Sequence, residues 1–142
     1  MSMSTWIVAL LCVVAGSVAV LKAVEDKPAA GKDRLFEMRT YTAAEGKLDA
    51  LNARFRNHTN KLFEKHGMTL IGYWTPTDGE KAKNTLIYIL AYPDKEAREK
   101  SWKGFMADPD WNAARAASEK DGKLVTKVES VFLKPTDYSP IK

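Results

Sequence analysis

The sequence has 142 residues and a mass of 15.9 kDa, which suits one ordinary domain and is too short for two. Hydrophobic residues make up 45% of the chain and charged residues 28%, a balance that is typical of globular proteins and argues against disorder. The formal charge is only +4 and both signs are mixed along the chain, so we do not expect the clustered basic surface of a nucleic-acid-binding protein.

The residue types that usually hold metals and cofactors are scarce. One Cys cannot form an internal disulfide or a cysteine-based zinc site, and His58 and His66 are too few for an all-histidine site. The sequence also lacks a glycine-rich phosphate loop, a nucleophile elbow and an HExxH motif. We therefore predict no metal and no cofactor.

The first 21 residues contain no charged side chain, and residues 7–21 read IVALLCVVAGSVAVL. This apolar run matches the central region of a signal peptide and is shorter than the roughly 20 residues of a membrane span. Ser17 and Ala19 favour cleavage after Ala19, which would remove Cys12. We expect a signal peptide and an exported protein, periplasmic or secreted. The alternatives are an uncleaved membrane anchor and a buried helix.

Residues 22–33 (KAVEDKPAAGKD) have no apolar period and are interpreted as a linker, so the folded domain spans residues 34–140. Its first strand covers residues 35–42, because apolar and polar side chains alternate there. Phe36 and Met38 fall on one face of this strand. The three residues on the other face are Glu37, Arg39 and Tyr41.

Apolar residues at three- and four-residue spacing predict an amphipathic helix over residues 47–65, with Gly67 as its left-handed cap. Arg54 and the other cations of this helix are expected on its solvated side. Residues 68–74 and 85–92 are predicted strands. The loop between them is too short for a crossover helix, so the two strands form an antiparallel hairpin.

The second half repeats the pattern of the first. Asp94 is placed to cap a helix that ends near residue 107, and Asp108-Pro109 repeats the start signal for a helix to about residue 120. Residues 123–134 form the last strand. The order β-α-β-β-α-β predicts an α+β, ferredoxin-like domain with two helices on one face of a four-stranded antiparallel sheet.

Both faces of the predicted hairpin are apolar. Along residues 85–92, one face carries Leu86, Tyr88, Leu90 and Tyr92, and the other carries Ile87, Ile89 and Ala91. A two-layer fold buries only one of these faces, and an exposed patch of this size marks an interface. We expect a second copy of the chain to pack on the open face as a homodimer. The alternative is that the tail or the linker covers the sheet.

The charged candidate site residues lie on the first and last predicted strands of the chain. If Glu37, Arg39 and Tyr41 faced a second sheet, they would line a partly polar chamber. Buried charges must be paired, so we expect Glu37 to pair with Lys127, or Arg39 with Glu129. The alternative is a purely structural lattice of ion pairs.

Two further groups of residues are open to a functional or a structural interpretation. His58 lies beside the apolar stripe of the first helix, where it is either a proton carrier or an ordinary residue at the helix edge. Trp74, Trp102 and Trp111 either wall a ligand pocket or belong to the core.

Several stretches of the domain resemble the NIPSNAP family in order and spacing. They are FEMRTYT at residues 36–42, RFRNHTNKLFEKHGM at 54–68, IGYWTP at 71–76, LIYILAYPDKEAREKSW at 86–102, ADPDW at 107–111 and ESVFLKPTDYSP at 129–140. The resemblance implies a ferredoxin-like domain of the dimeric α/β-barrel group, and it supplies no catalytic residues. The wider group includes cofactor-independent monooxygenases and haem-handling proteins. In a haem-binding role, His58 would be the expected ligand of the iron. Better-known eukaryotic relatives are mitochondrial, and the export-like N-terminus departs from them.

Three functions remain open from the sequence, and whether the protein is an enzyme stays open with them. The first is a homodimeric barrel that binds a small, partly apolar ligand, with Glu37, Arg39, Tyr41 and Trp74 as candidate contacts. The second is a cofactor-independent monooxygenase or isomerase in which His58 or Tyr41 carries a proton. The third is a protein-interaction module at the cell envelope. A hollow chamber favours the first two, and a chamber filled by side chains favours the third.

Overall fold

The computed structural model describes residues 34–142, so the predicted leader (1–21) and linker (22–33) lie outside the described residues. The described elements are β1 (Leu35–Ala43), α1 (Leu48–Arg54), a π-helical segment (Phe55–Thr59), α2 (Asn60–Lys65), β2 (Thr69–Trp74), a 3-10 turn (Glu80–Lys83), β3 (Thr85–Tyr92), α3 (Lys95–Ala107), α4 (Pro109–Ser118) and β4 (Val125–Leu133). All four predicted strands are present within a residue or two of their expected limits.

The four strands form one antiparallel sheet in the order β2-β3-β1-β4. This is the strand order of a ferredoxin-like fold, and the helices pack on one face of it, so the predicted α+β architecture is confirmed. The central strands β1 and β3 pair directly, with Glu37 opposite Leu90 and Arg39 opposite Tyr88. Tyr88 and Leu90 are fully buried beneath the helices, so this pairing fixes which face of β1 meets the helix layer.

The predicted single helix over residues 47–65 contains a π-helical segment at Phe55–Thr59. Inside it, the Thr59 hydroxyl donates a hydrogen bond of 3.3 Å to the carbonyl oxygen of Arg54. Arg54, the last residue of α1 before this segment, is buried, with 6% of its surface exposed, and it follows the fully buried Leu51 by three residues. The expectation that Arg54 is solvated is therefore wrong, because residues three places apart in a helix share a face and Leu51 faces the core.

The predicted caps are confirmed. Gly67 has φ +79°, and its N–H bonds to Glu64 while the N–H of Met68 bonds to Phe63, which closes the end of α2. The Asp94 carboxylate accepts from the N–H of Ala97 at 2.8 Å. The Asp108 carboxylate accepts from the N–H of Asp110 at 2.9 Å, with Pro109 in the first turn of α4.

The face of the sheet away from the helices is only partly covered. The C-terminal tail lies along one end of it, and Arg34 Nε holds the tail by a 2.6 Å hydrogen bond to the carbonyl oxygen of Lys142. The tail and the sheet enclose a groove lined by Phe36, Ile71, Ile89, Leu133, Pro135 and Ile141. Elsewhere Val131 and Trp74 remain about half exposed, at 49% and 51%. Among residues 34–142, no helix is both long enough and apolar enough to cross a membrane.

Candidate functional site

The face of β1 that carries Glu37, Arg39 and Tyr41 looks toward the helices. Its cross-strand partners on β3 are Leu90, Tyr88 and Leu86, all of them core residues. The chamber expected between two sheets is therefore replaced by one between the sheet and the helices of a single chain. Alternation along a strand defines two faces, but which face meets the helices depends on the packing of the whole domain.

Glu37 is a fully buried carboxylate surrounded by donors. Its oxygens accept hydrogen bonds from five side chains: Arg39 Nη1 at 2.6 Å, Arg98 Nε and Nη2 at 3.0 and 2.9 Å, Trp102 Nε1 at 3.2 Å, Tyr92 OH at 3.1 Å and Ser130 Oγ at 2.7 Å. Burial raises the pKa of this carboxyl, but the hydrogen bonds from Arg98 and Ser130 and the charge of Arg39 outweigh it and lower the pKa to about 2. With its lone pairs engaged, Glu37 orients its neighbours and is not available to a ligand.

The two ion pairs expected across the strands are wrong. In the register of β1 with β4, Glu37 lies opposite Phe132 and Arg39 opposite Ser130. Lys127 and Glu129 consequently lie on the other face of the sheet, where they pair with each other at 3.0 Å. The observed register differs by one residue from the one that an Arg39–Glu129 pair requires and by five from the one that a Glu37–Lys127 pair requires. Either odd displacement moves the side chains of a strand to the opposite face.

A cavity of about 320 Å³ lies between the sheet and the helices, and we call it the sheet–helix cavity. Its apolar wall consists mainly of six aromatic side chains: Tyr41, Phe55, Phe63, Trp102, Phe105 and Trp111. Neighbouring rings are in contact, with centroids 5.6 Å apart for Trp102 and Phe105 and 4.5 Å apart for Phe105 and Trp111. The wall is thus a continuous aromatic surface, of the kind that holds flat apolar ligands.

Charged side chains interrupt this wall at two places. On the β1 side, the Arg39 guanidinium lies 4.3 Å from the centroid of the Trp102 ring while it donates to Glu37. On the α4 side, Arg54 Nη1 donates to Glu119 at 3.0 Å, and its guanidinium lies 5.2 Å from the Trp111 ring. Arg115 and Lys123 line the same α4 side of the cavity.

The predicted site residues divide into two groups in the structure. Arg39 and Tyr41 line the sheet–helix cavity, and Trp102 and Trp111 do so as well. Trp74 pairs with Ile87 on the opposite face of the sheet, where its ring covers Gly72. His58 is exposed and lines a shallow groove between α1 and α4, so it does not face the cavity.

The second histidine also lies outside the cavity wall. His66 Nε2 is 2.6 Å from an oxygen of Asp108, in contact with the cap of α4. In the part of the chain that the structure describes, no group of three or more His, Cys, Asp or Glu side chains is arranged to hold a metal ion.

Sequence reasoning missed the cationic side of the cavity, which contains Arg54, Arg115 and Lys123 with Glu119 between the two arginines. Arg54 follows the buried Leu51 by three residues, a spacing that places it on the apolar stripe and was a usable signal. Nothing in the sequence brings Lys123, in the turn before β4, next to a helix more than sixty residues earlier.

Comparisons with known proteins agree on one family. The NIPSNAP family model matches residues 36–140. The structure is similar to a NIPSNAP family protein of unknown function (Atu4242) from Agrobacterium tumefaciens, with 24% identity, a TM-score of 0.68, and 79% of this chain and 96% of that chain covered. It is also similar to an uncharacterised NIPSNAP domain protein from Burkholderia xenovorans, with 28% identity, a TM-score of 0.63, and 75% and 98% covered.

A more distant similarity extends beyond that family. SnoaB, a cofactor-independent oxygenase from Streptomyces nogalater, shares 14% identity at a TM-score of 0.51, with 76% of this chain and 98% of that chain covered. At this identity the similarity shows a common fold alone. No curated protein matches the sequence.

Proposed function

The chain belongs to the NIPSNAP family, and we propose that its domain binds a small, partly apolar ligand in the sheet–helix cavity. The observation that carries this proposal is the cavity itself, which has about 320 Å³ of space within an aromatic wall. That volume is within the range of small-molecule sites. The cavity opens to solvent beside the exposed residues Met106, Lys123 and Val128, so a ligand has a way in.

The tryptophans provide a site-specific test. Trp102 and Trp111 line the cavity, whereas Trp74 lies on the opposite face of the sheet. In full-length protein labelled with 5-fluorotryptophan, a bound fragment should shift the ¹⁹F resonances of Trp102 and Trp111 and leave that of Trp74 unchanged. Single Trp→Phe variants assign the signals.

A variant that fills the cavity supplies the control. Val128 lines the cavity and is 45% exposed, so Val128→Trp should occupy the space and abolish the shifts without disturbing the core. The control is Lys61→Trp, which adds a tryptophan at an exposed position of α2 that lines neither the cavity nor the open face of the sheet. A fragment library that moves neither cavity resonance, or moves them equally in Val128→Trp, would contradict the proposal.

The second candidate function is catalysis in the same cavity, in which the protein acts as a cofactor-independent oxygenase or isomerase. Tyr41 favours it, because this phenol lies in the cavity wall with the Arg39 guanidinium 5.7 Å from its ring. The protein would be incubated with phenols or quinols under oxygen. Activity that Tyr41→Phe abolishes and the exposed His58→Ala leaves intact would support an enzyme, and activity that both variants retain would exclude Tyr41 as its proton carrier.

We also propose that the chain forms a homodimer through the open face of the sheet. Val131 and Leu133 on β4 are 49% and 36% exposed, and Ile89 adjoins them in the groove beside the tail. Apolar side chains on both faces of a sheet favour a second covered face. Sedimentation of the wild type as a dimer and of Ile89→Glu as a monomer would support this assembly, and a monomeric wild type at high concentration would refute it.

Export remains our proposal for the leader, on the basis of the apolar residues 7–21. The intact mass of protein recovered from the producing cell tests it directly. Loss of residues 1–19 would support a cleaved signal peptide, and the full mass in a membrane fraction would support an anchor.

A further inference from the structure

The charge on the wall of the sheet–helix cavity is strongly one-sided. Four cationic side chains line it, Arg39, Arg54, Arg115 and Lys123, against the single carboxylate of Glu119. Glu37 lies behind Arg39, but Arg98 offsets it from the far side. The wall therefore carries a surplus of three positive charges, which raises the local concentration of anions.

The wall of the cavity also offers more hydrogen-bond donors than free acceptors. The Glu119 carboxylate is engaged by Arg54 at 3.0 Å, by Arg115 at 3.3 Å and by the N–H of Leu124 at 3.5 Å. In contrast, Arg39 Nε, Arg54 Nε and Trp111 Nε1 have no hydrogen-bond partner within residues 34–142. These three atoms are covered, so the cationic donors open to a ligand are the exposed side chains of Arg115 and Lys123, which favour acceptor oxygens.

The cations are also unevenly distributed. Arg54, Arg115 and Lys123 share the α4 side, where the Arg115 side chain is 48% exposed and Lys123 is exposed to solvent. They form a positively charged mouth that leads to the contiguous rings of Trp111, Phe105 and Trp102. An anionic group at this mouth would place an attached flat ring against the aromatic wall.

We propose that the cavity selects planar aromatic anions, such as aryl carboxylates, with the anionic oxygens at the Arg54–Arg115–Lys123 mouth and the ring along the aromatic wall. The inference rests on the proposed function and narrows it to one chemical class. Aromatic cations are repelled by the surplus charge, and neutral aromatics forgo the charge-assisted hydrogen bonds from Arg115 and Lys123.

Calorimetric titration of full-length protein with 2-naphthoate and its neutral isostere 2-naphthamide tests the charge. We expect the carboxylate to bind about tenfold more tightly, because hydrogen bonds to charged groups are stronger than those to an amide. Benzoate and cyclohexanecarboxylate test the ring in the same way, and benzoate should bind more tightly. Equal affinities for 2-naphthoate and 2-naphthamide would contradict the proposed preference for an anion. Equal affinities for benzoate and cyclohexanecarboxylate would contradict the proposed preference for an aromatic ring.

A pair of double variants tests the position of the anion. Arg115→Gln/Lys123→Gln removes two charges from the mouth at exposed positions and should weaken 2-naphthoate about five- to tenfold while leaving 2-naphthamide unchanged. Lys81→Gln/Lys83→Gln removes the same charge from the exposed 3-10 turn, away from the cavity, and should leave both affinities unchanged. Equal losses in the two double variants overturn the assignment of the mouth.

The fluorinated tryptophans separate this inference from the proposed function. If 2-naphthamide shifts the Trp102 and Trp111 resonances as strongly as 2-naphthoate, the cavity binds ligands and only the selectivity for anions is wrong. If neither compound shifts them at millimolar concentration, the proposed selectivity is wrong. Failure of the whole fragment library would then overturn the proposed function as well.

Discussion

The buried carboxylate of Glu37 should make a large and pH-dependent contribution to stability. Its pKa is lowered from an ordinary value of 4.5 to about 2. Because the folded-state pKa is depressed, the contribution is fully present above about pH 5 and is lost as the pH falls toward 2. A difference of this size between folded and unfolded states corresponds to about 3 kcal/mol of unfolding free energy at pH 7.

Glu37→Gln keeps the shape of the side chain and removes its charge, so it isolates this contribution. Linkage then predicts that the unfolding free energy of the wild type exceeds that of Glu37→Gln by about 3 kcal/mol at pH 7 and by only about 1.5 kcal/mol at pH 3. The gap narrows because, at pH 3, the Glu37 carboxyl is already protonated in the unfolded chain but still mostly ionised in the folded one. Urea unfolding followed by circular dichroism at both pH values measures the two gaps. Any constant cost of introducing an amide cancels when the gaps are compared.

The matched control is Glu129→Gln on the same sheet. Glu129 is 56% exposed and pairs with Lys127 at the surface, so its loss should cost less than about 1 kcal/mol at either pH. A gap between wild type and Glu37→Gln that stays constant from pH 7 to pH 3 would refute the account of Glu37 as a buried ionised group. A gap no larger than that of Glu129→Gln would do the same.

Two further substitutions test the helix ends. Gly67→Ala forces a side chain into a backbone with φ +79° and should lower the unfolding free energy by about 1 kcal/mol, with the exposed Lys61→Ala as an unaffected control in urea unfolding. Asp108→Asn keeps an oxygen for the cap of α4 but loses the charge that faces Lys65 Nζ at 2.8 Å and His66 Nε2 at 2.6 Å. Hydrogen bonds from Lys65 and His66 lower the pKa of Asp108, so the substitution should destabilise the protein at neutral pH and progressively less as the pH falls through the acid range; a pH-independent loss would contradict this.

Local patterns in the sequence were sufficient for the elements and their caps. Alternation located β1 and β3, and the capping residues Asp94 and Asp108 were identified correctly, because these features depend on neighbours a few residues away. The family and its ferredoxin-like topology followed from motifs spread over the whole domain.

The errors share a different physical origin. The pairing of Glu37 and Arg39 depends on the register between β1 and β4, which are more than eighty residues apart in the chain. The burial of Arg54 depends on the α4 region packing over α1, where Arg54 Nη1 donates to Glu119 and its guanidinium lies 5.2 Å from the Trp111 ring. Both depend on long-range packing. The candidate residues Arg39 and Tyr41 do line a cavity, but the expected chamber was placed on the wrong side of the sheet.

The network around Glu37 also connects stability to the proposed binding site. Arg39 and Trp102 line the cavity, and both donate hydrogen bonds to Glu37, at 2.6 and 3.2 Å. Replacing the carboxylate by an amide removes the charge that holds the Arg39 guanidinium over the Trp102 ring. Glu37→Gln should therefore weaken an aromatic ligand even at neutral pH and moderate temperature, where the variant is folded. Glu129→Gln should not, although both substitutions remove one negative charge from the same sheet. A Glu37→Gln protein that is less stable but binds 2-naphthoate as the wild type does would show that the network supports the fold and leaves the cavity wall in place without it.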